Sequence, residues 1–254
     1  MKRKFWSMAA ATDDAPSELR IEGEIVDDEN AWWFEDDAYT CPGDFRTALN
    51  GLKGDLTVVI NSIGGDAIAA SCIYSALRQY AEAGHRVTAR VNGLAASAAS
   101  VIAMAADVVQ MSPTAYMMVH DPSTYVYGNA ADMDDCKAML DEVANGMALA
   151  YARKTGMEPA AARRIMKAET WLNAASAKKL GFADEILWMD DEEHDEADEP
   201  IETASVNARS VGRIAAKLHA HGRLPKTPDT QSDTTDARAR LNLLCAAIKE
   251  DESI

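Results

Sequence analysis

Short runs of apolar residues alternate along the chain with longer segments of helical period. Leu19 to Val26 alternates apolar and polar positions through Leu19, Ile21 and Ile25, which predicts an early strand. Leu56 to Ile60 is a second, wholly apolar strand, and Asn61-Ser62-Ile63-Gly64-Gly65 reads as a turn after it. Asp66 then caps a helix to about Ala83, with Ala69, Cys72, Ile73, Ala76, Leu77 and Tyr80 on one face, and Gly84 stops it. A strand over Val87–Val91, a turn at Asn92-Gly93 and an alanine-rich helix from about Ser97 to Ala106 follow. Strands are predicted at Val108–Met111 and Tyr116–Val119, and a long helix over about Ala131–Lys154. Met133, Cys136, Leu140, Val143 and Met147 form a narrow, heptad-like stripe on that helix, fit for packing along another helix or against a second subunit. A shorter helix over Pro159–Met166, one capped by Asn173 and running to Leu180, and a strand over Ala183–Trp188 complete the pattern. Repeated strand–helix alternation predicts an α/β fold with largely parallel pairing.

The pattern breaks after Trp188. Residues 190–202 carry nine acids and no base, which marks 189–202 as an acidic linker. The tail, 203–254, is near neutral and holds two short amphipathic stripes, Val211, Ile214, Ala215 and Leu218, then Leu241, Leu244, Cys245 and Ile248. Residues 1–18 read as a flexible leader, leaving 19–188 as the folded domain.

The 254 residues are 48% apolar, enough for a sizeable core, and carry a net charge of −16. That balance argues against a nucleic-acid binder, which needs clustered cations. Cys41, Cys72, Cys136 and Cys245 are isolated, with no C-x-x-C pair and no histidine at zinc spacing, so a reduced, cytoplasmic, metal-free protein is expected. No run of about 18 apolar residues offers a membrane span, and no phosphate-binding P-loop motif is present.

Three segments concentrate chemistry. Asn61-Ser62-Ile63-Gly64-Gly65-Asp66 puts two glycines at a strand-to-helix junction, where backbone can approach a ligand closely; a tight turn is the plainer alternative. In Gly93-Leu94-Ala95-Ala96-Ser97-Ala98-Ala99-Ser100, a serine with small neighbours opens an apolar helix. Its hydroxyl is reachable by a carbonyl, and N–H groups are available to a developing oxyanion; a simple N-cap is the rival. Ser100, one turn on, reads as a packing residue whose loss should spare activity. Met117-Met118-Val119-His120-Asp121-Pro122 delivers a histidine at a strand end, where active sites of open α/β sheets lie. His85, His194, His219 and His221 are less well placed, which leaves His120 as the base for Ser97.

These blocks, their order, and the later Trp171-Leu172-Asn173-Ala174 and Gly181-Phe182-Ala183-Asp184 segments resemble the ClpP-type serine peptidases over roughly residues 19–188. The resemblance implies a ClpP/crotonase-like fold with a C-terminal extension, and acyl transfer with Ser97 as nucleophile and His120 as general base. It implies that Gly65 and Ala98 donate the oxyanion-hole N–H groups. Glu169 occupies the place of the family's triad aspartate, with Asp121 as the local alternative. No cofactor is implied. The partners implied are protein or peptide substrates and further copies of the chain in homo-oligomeric rings, with an AAA+ unfoldase left open. The acidic linker and tail are closer to the ClpP-related head maturation proteases of tailed phages, which adds capsid and scaffold proteins as expected substrates. Two other readings compete. A crotonase-like acyl-CoA enzyme would need no Ser–His pair, and an inactive ClpP-fold assembly factor is kept open by glutamate in the aspartate's place.

Overall fold

The structure, a computed structural model, describes residues 8–9, 16–31 and 38–189. The elements run β1 (Met8–Ala9), β2 (Ser17–Ile25), β3 (Tyr39–Thr40), α1 (Pro42–Asn50), β4 (Leu56–Gly65), α2 (Ala67–Glu82), β5 (Val87–Ala96), α3 (Ala98–Ala103), β6 (Val108–Met111), β7 (Tyr116–Val119), α4 (Ala130–Thr155), α5 (Pro159–Lys167), β8 (Thr170–Asn173), α6 (Ala174–Lys179) and β9 (Glu185–Ile186). The acidic segment from 190 onward and the two stripes expected in the tail lie outside the described residues. Among the described residues no helix is long and apolar enough to cross a membrane.

One sheet organises the chain. Strands β2, β4, β5, β6 and β9 form a continuous parallel ladder, with β1 antiparallel to β2 and β3 parallel beside it. Parallel strands covered by helices read as unbroken apolar runs, and Leu56, Val58, Val59 and Ile60 of β4 are all buried. The fold is the expected α/β class. Strand β5 divides its pairing: Thr88–Val91 bond to β6, and Leu94–Ala96 bond to β7. Strand β7 in turn pairs antiparallel with β8.

Several elements depart from the sequence pattern. Asn61–Gly65 is not a turn but the end of β4. Between Gly23–Ser62 and Glu24–Gly64 the register with β2 slips by one residue at Ile63. The Ser62 hydroxyl donates to Gly23 O at 2.6 Å and accepts from Gly64 N at 3.1 Å, which holds this bulge. Asn92-Gly93 is not a turn either. Pairing with β4 passes from Ile60–Val91 directly to Ser62–Ala95, so both residues lie in a second bulge inside β5. Here Asn61 Oδ1 accepts from Leu94 N at 3.2 Å, and a Cβ on residue 93 would sit 2.6 Å from the same oxygen, so any larger residue must displace the Asn61 side chain from this bond. Turn-forming residues thus mark strand bulges, because a bulge needs the same backbone freedom as a turn.

At the edges, β2 starts at Ser17, and Met8–Ala9, within the expected leader, pair with it. The strand expected over Ala183–Trp188 is only Glu185–Ile186. Helix α1, which buries Phe45, Ala48 and Leu49, and the short strands β3 and β8 were not anticipated. Helix α2 is capped by Asp66 as predicted, but Cys72 is exposed, and Ala69, Ala70, Ile73 and Leu77 form the buried face.

Helix α3 is buried along its whole length, which explains its small side chains: alanines let it sit against β4, β5, α2 and α4. Helix α4 opens with an Asn129/Asp132 capping box and closes on Gly156 in the left-handed conformation. Its stripe is graded. Met147 is buried and Val143 packs on the core, whereas Met133, one turn into the helix, is 43% exposed. The second half of α4 therefore belongs to the core, and the first half extends past it. Lys154, near the end of α4, donates to Asp107 O and Asp184 Oδ2, tying the helix to the entries of β6 and β9.

The bulged end of β4 makes a stability prediction. Gly65 has φ +145°, and an added Cβ would lie 2.0 Å from Ile25 O; Gly84 has φ +98° with nothing within 4 Å. Gly84→Ala should cost only the roughly 1–3 kcal/mol of backbone strain, whereas Gly65→Ala should cost well over that. Denaturant unfolding of the two variants checks the ranking.

Candidate active site

The β5 bulge and the β5–β7 ladder bring the two principal candidates together. Ser97 follows the last residue of β5 and precedes α3, and it adopts φ 54°, ψ −124°, a region that strains a residue bearing a Cβ. Its N–H donates to Met118 O at 2.8 Å, and its carbonyl accepts from Ser100 N at 3.0 Å. Ala96 pairs with Met118, so His120, just past β7, emerges beside Ser97. Ser97 Oγ and His120 Nε2 are 2.7 Å apart. For the hydroxyl to donate, Nε2 must be bare and the ring proton must sit on Nδ1.

Two carboxylates act on the imidazole from nearby. Asp121 Oδ1 accepts from Arg163 Nη1 at 2.7 Å, and Arg163 also faces Asp141 at 3.6 Å, so Asp121 is engaged with α5. Glu169 is exposed, lies between α5 and β8, and has φ 48°. Among the described residues no hydrogen bond joins His120 to Glu169 or to Asp121. Burial pushes the His120 pKa below its ordinary value; the charge of Glu169, and after it that of Asp121, pull it partly back up. Of the three non-glycine residues with positive φ among those described, two are Ser97 and Glu169, as backbone strain gathered at a functional site would have it.

The end of β4 supplies bare main chain. Gly64 has φ +93°, and a Cβ there would meet Ala96 O at 2.6 Å, Ser97 Cβ at 2.7 Å and Ala98 N at 3.0 Å. Gly64 thus clears the space before Ser97 and before the N–H of Ala98, which opens α3 and has no acceptor within the helix, while a Cβ on Gly65 would meet Ile25 of β2 instead. The structure brings Ser97, His120, Ala98 and the Gly64-Gly65 segment together and leaves Glu169 beside them without a bond.

Ser100 is buried, as expected of a packing residue, but its hydroxyl is used. Oγ donates to Ser97 O at 2.6 Å and lies 2.8 Å from the Tyr151 hydroxyl of α4. Burial pushes the Tyr151 phenol well above its usual range, so it keeps its proton. Sequence reasoning missed this pair, along with the bond from Leu94 N to Asn61 and the role of Arg163. Each depends on a register or helix packing that no local motif reveals.

A family model described as Clp protease matches residues 48–190. The chain belongs to the Clp protease family. The match takes in β4 through β9 and with them Ser97, His120 and Glu169. Similar curated proteins are ATP-dependent Clp protease proteolytic subunits 1. That of Rhodococcus jostii is 32% identical over 136 residues, covering 52% of this chain and 60% of the relative. That of Protochlamydia amoebophila is 31% identical over 134 residues, covering 51% and 63%. That of Chlamydia caviae is 28% identical over 141 residues, covering 54% and 72%. The chain spans about three-fifths of the length of the first two of these Clp proteins.

The electrostatics set a pH dependence. A histidine acting as base works only when neutral, so its lowered pKa carries activity to more acid pH than an ordinary imidazole would allow. The acid limb of kcat/KM should therefore fall below the ordinary imidazole value. Glu169→Gln removes the larger raising influence and should move that limb further toward acid; Asp121→Asn should move it less. A pH–rate profile of the three proteins reads this directly.

Proposed function

We propose that the protein is a serine-type endopeptidase working through an acyl-enzyme. The observation that carries this is the 2.7 Å contact between Ser97 Oγ and His120 Nε2, with Ser97 held at a strained backbone angle on a buried helix start. His120 takes the hydroxyl proton as Oγ attacks the peptide carbonyl, and it later returns that proton to the leaving amine. The N–H groups of Gly65 and Ala98 receive the charge that builds on the carbonyl oxygen. Glu169 stabilises the imidazolium through its field and, when substrate or a neighbouring subunit orders the site, through a hydrogen bond. A crotonase-like acyl-CoA enzyme has no use for the Ser–His pair, so the contact favours the peptidase over that reading.

Unfolded protein or peptide is the substrate class. The names of the relatives bring an ATP-driven unfoldase into the reading as the partner that would deliver it. Family resemblance adds homo-oligomeric rings, with the projecting first half of α4 at the contact between them. The narrower role of trimming capsid and scaffold proteins rests on the residues after Trp188, and the bacterial relatives lend it no support.

A fluorophosphonate probe should label the wild-type protein on the peptide containing Ser97. Ser97→Ala should abolish both labelling and peptide hydrolysis while the circular dichroism spectrum is retained. Absence of label in the wild type would instead support the inactive assembly factor. Leu140, half-buried on the α4 stripe, tests the rings: Leu140→Asp should give smaller, folded particles with little peptidase activity, as read by light scattering and a peptide assay on one preparation.

A further inference from the structure

Ser97 is tied to α4 by a chain of hydroxyls that the acyl-transfer mechanism does not use. The Ser97 carbonyl accepts from Ser100 Oγ at 2.6 Å, and Ser100 Oγ lies 2.8 Å from Tyr151 OH. A carbonyl cannot donate, so the single Ser100 proton is committed to Ser97 O. The Tyr151 phenol must then donate to Ser100 Oγ, and it carries the proton to do so. The direction of the chain is fixed: Tyr151 O–H to Ser100 O–H to Ser97 C=O. Ser100 and Tyr151 are both at 0% exposure, so water does not compete for these bonds.

The carbonyl of Ser97 and the N–H of Ala98 are two ends of one planar peptide unit. Every peptide bond among the described residues is trans, so the two point in opposite directions. Whatever fixes the carbonyl aims the N–H. Hydrogen bonds in series also polarise one another, and density drawn onto the carbonyl oxygen leaves the amide hydrogen more positive. We propose that Ser100 and Tyr151 are positioning residues that aim and strengthen the Ala98 N–H as an oxyanion donor, so that the core half of α4 sets the efficiency of the chemical step. On this reading Ser100 does more than pack. The proposal rests on the peptidase reading above, in which Ala98 faces the developing oxyanion.

The test uses the full-length protein and the variants Tyr151→Phe, Ser100→Ala and the double variant, each normalised to the fraction labelled by a fluorophosphonate. Tyr151→Phe keeps the ring and its contact with Phe182, and it leaves Ser100 bonded to Ser97. Removing an oxyanion donor outright costs roughly 100–1000-fold in kcat, so weakening one should cost about tenfold in Tyr151→Phe, and more in Ser100→Ala. KM should stay within about twofold, because the ground-state carbonyl gains little from the donor. Affinity for a peptide boronic acid, which forms a tetrahedral adduct on the serine, should fall in step with kcat. Because tyrosine acts only through Ser100, adding Tyr151→Phe to Ser100→Ala should change kcat no further. A purely structural role would lower the labelled fraction and the thermal midpoint, leave kcat per labelled site intact, and overturn the proposal. A Tyr151→Phe effect that persists undiminished on the Ser100→Ala background would overturn it too. A wild-type protein that neither labels nor hydrolyses peptide overturns the peptidase reading itself, and the proposal with it.

Discussion

Ser97 sits at φ 54°, a conformation that costs a residue with a Cβ roughly 1–3 kcal/mol and persists only where its surroundings impose it. The imposition comes from both sides. The N–H is bonded to Met118 of β7, and the carbonyl is bonded into the first turn of α3. Much of the surrounding composition follows from the need to keep those two attachments in register. Helix α3 opens with two alanines and closes with a third because it must sit buried close behind the serine. Gly64 is bare because its α-carbon faces the serine's own Cβ. Phe182 packs against Tyr151, which holds α4 behind α3.

The acid differs in kind from the serine and histidine. The latter two are placed by ladder hydrogen bonds between β5 and β7, which leave little freedom. Glu169 lies where α5 gives way to β8, exposed and without a bond to His120. It has one methylene more than an aspartate, so its carboxylate reaches further and is less tightly held by its backbone. The nearer competitor, Asp121, is neutralised by Arg163. Its influence on His120 is thereby limited, and the glutamate remains the larger electrostatic partner.

The fold class, the placement of Ser97 and His120 at element junctions, and the caps at Asp66 and Asn173 were all legible in the sequence, because each depends on local periodicity or local backbone chemistry. What the sequence hid depends on registers between strands. Asn61-Ser62-Ile63-Gly64-Gly65 and Asn92-Gly93 have the composition of turns. They became bulges only because β2, β4 and β5 continue past them as neighbours. Strand β8 is four residues long and gains its partner only when β7 is in place. Ser100 has the sequence context of a packing residue, and Tyr151 is fifty-one positions away; nothing short of the packing of α3 on α4 joins them.

The divided pairing of β5 has a mechanical consequence. Below the bulge the strand is fastened to β4 and β6; above it, the same strand is fastened to β7 and, through Ala95, to Ser62 of β4. Ser97 follows this upper segment, and His120 follows the strand β7 bonded to it. Bending at Asn92-Gly93, whether from sheet twist or from a load applied through a neighbour, swings the two residues as one plate. The 2.7 Å spacing of Ser97 Oγ and His120 Nε2 is carried through such bending by the β5–β7 ladder, while the Ser62–Ala95 pairing keeps that ladder tied to the bulged end of β4. A site built this way can follow the twist of its sheet without dismantling the Ser97–His120 pair.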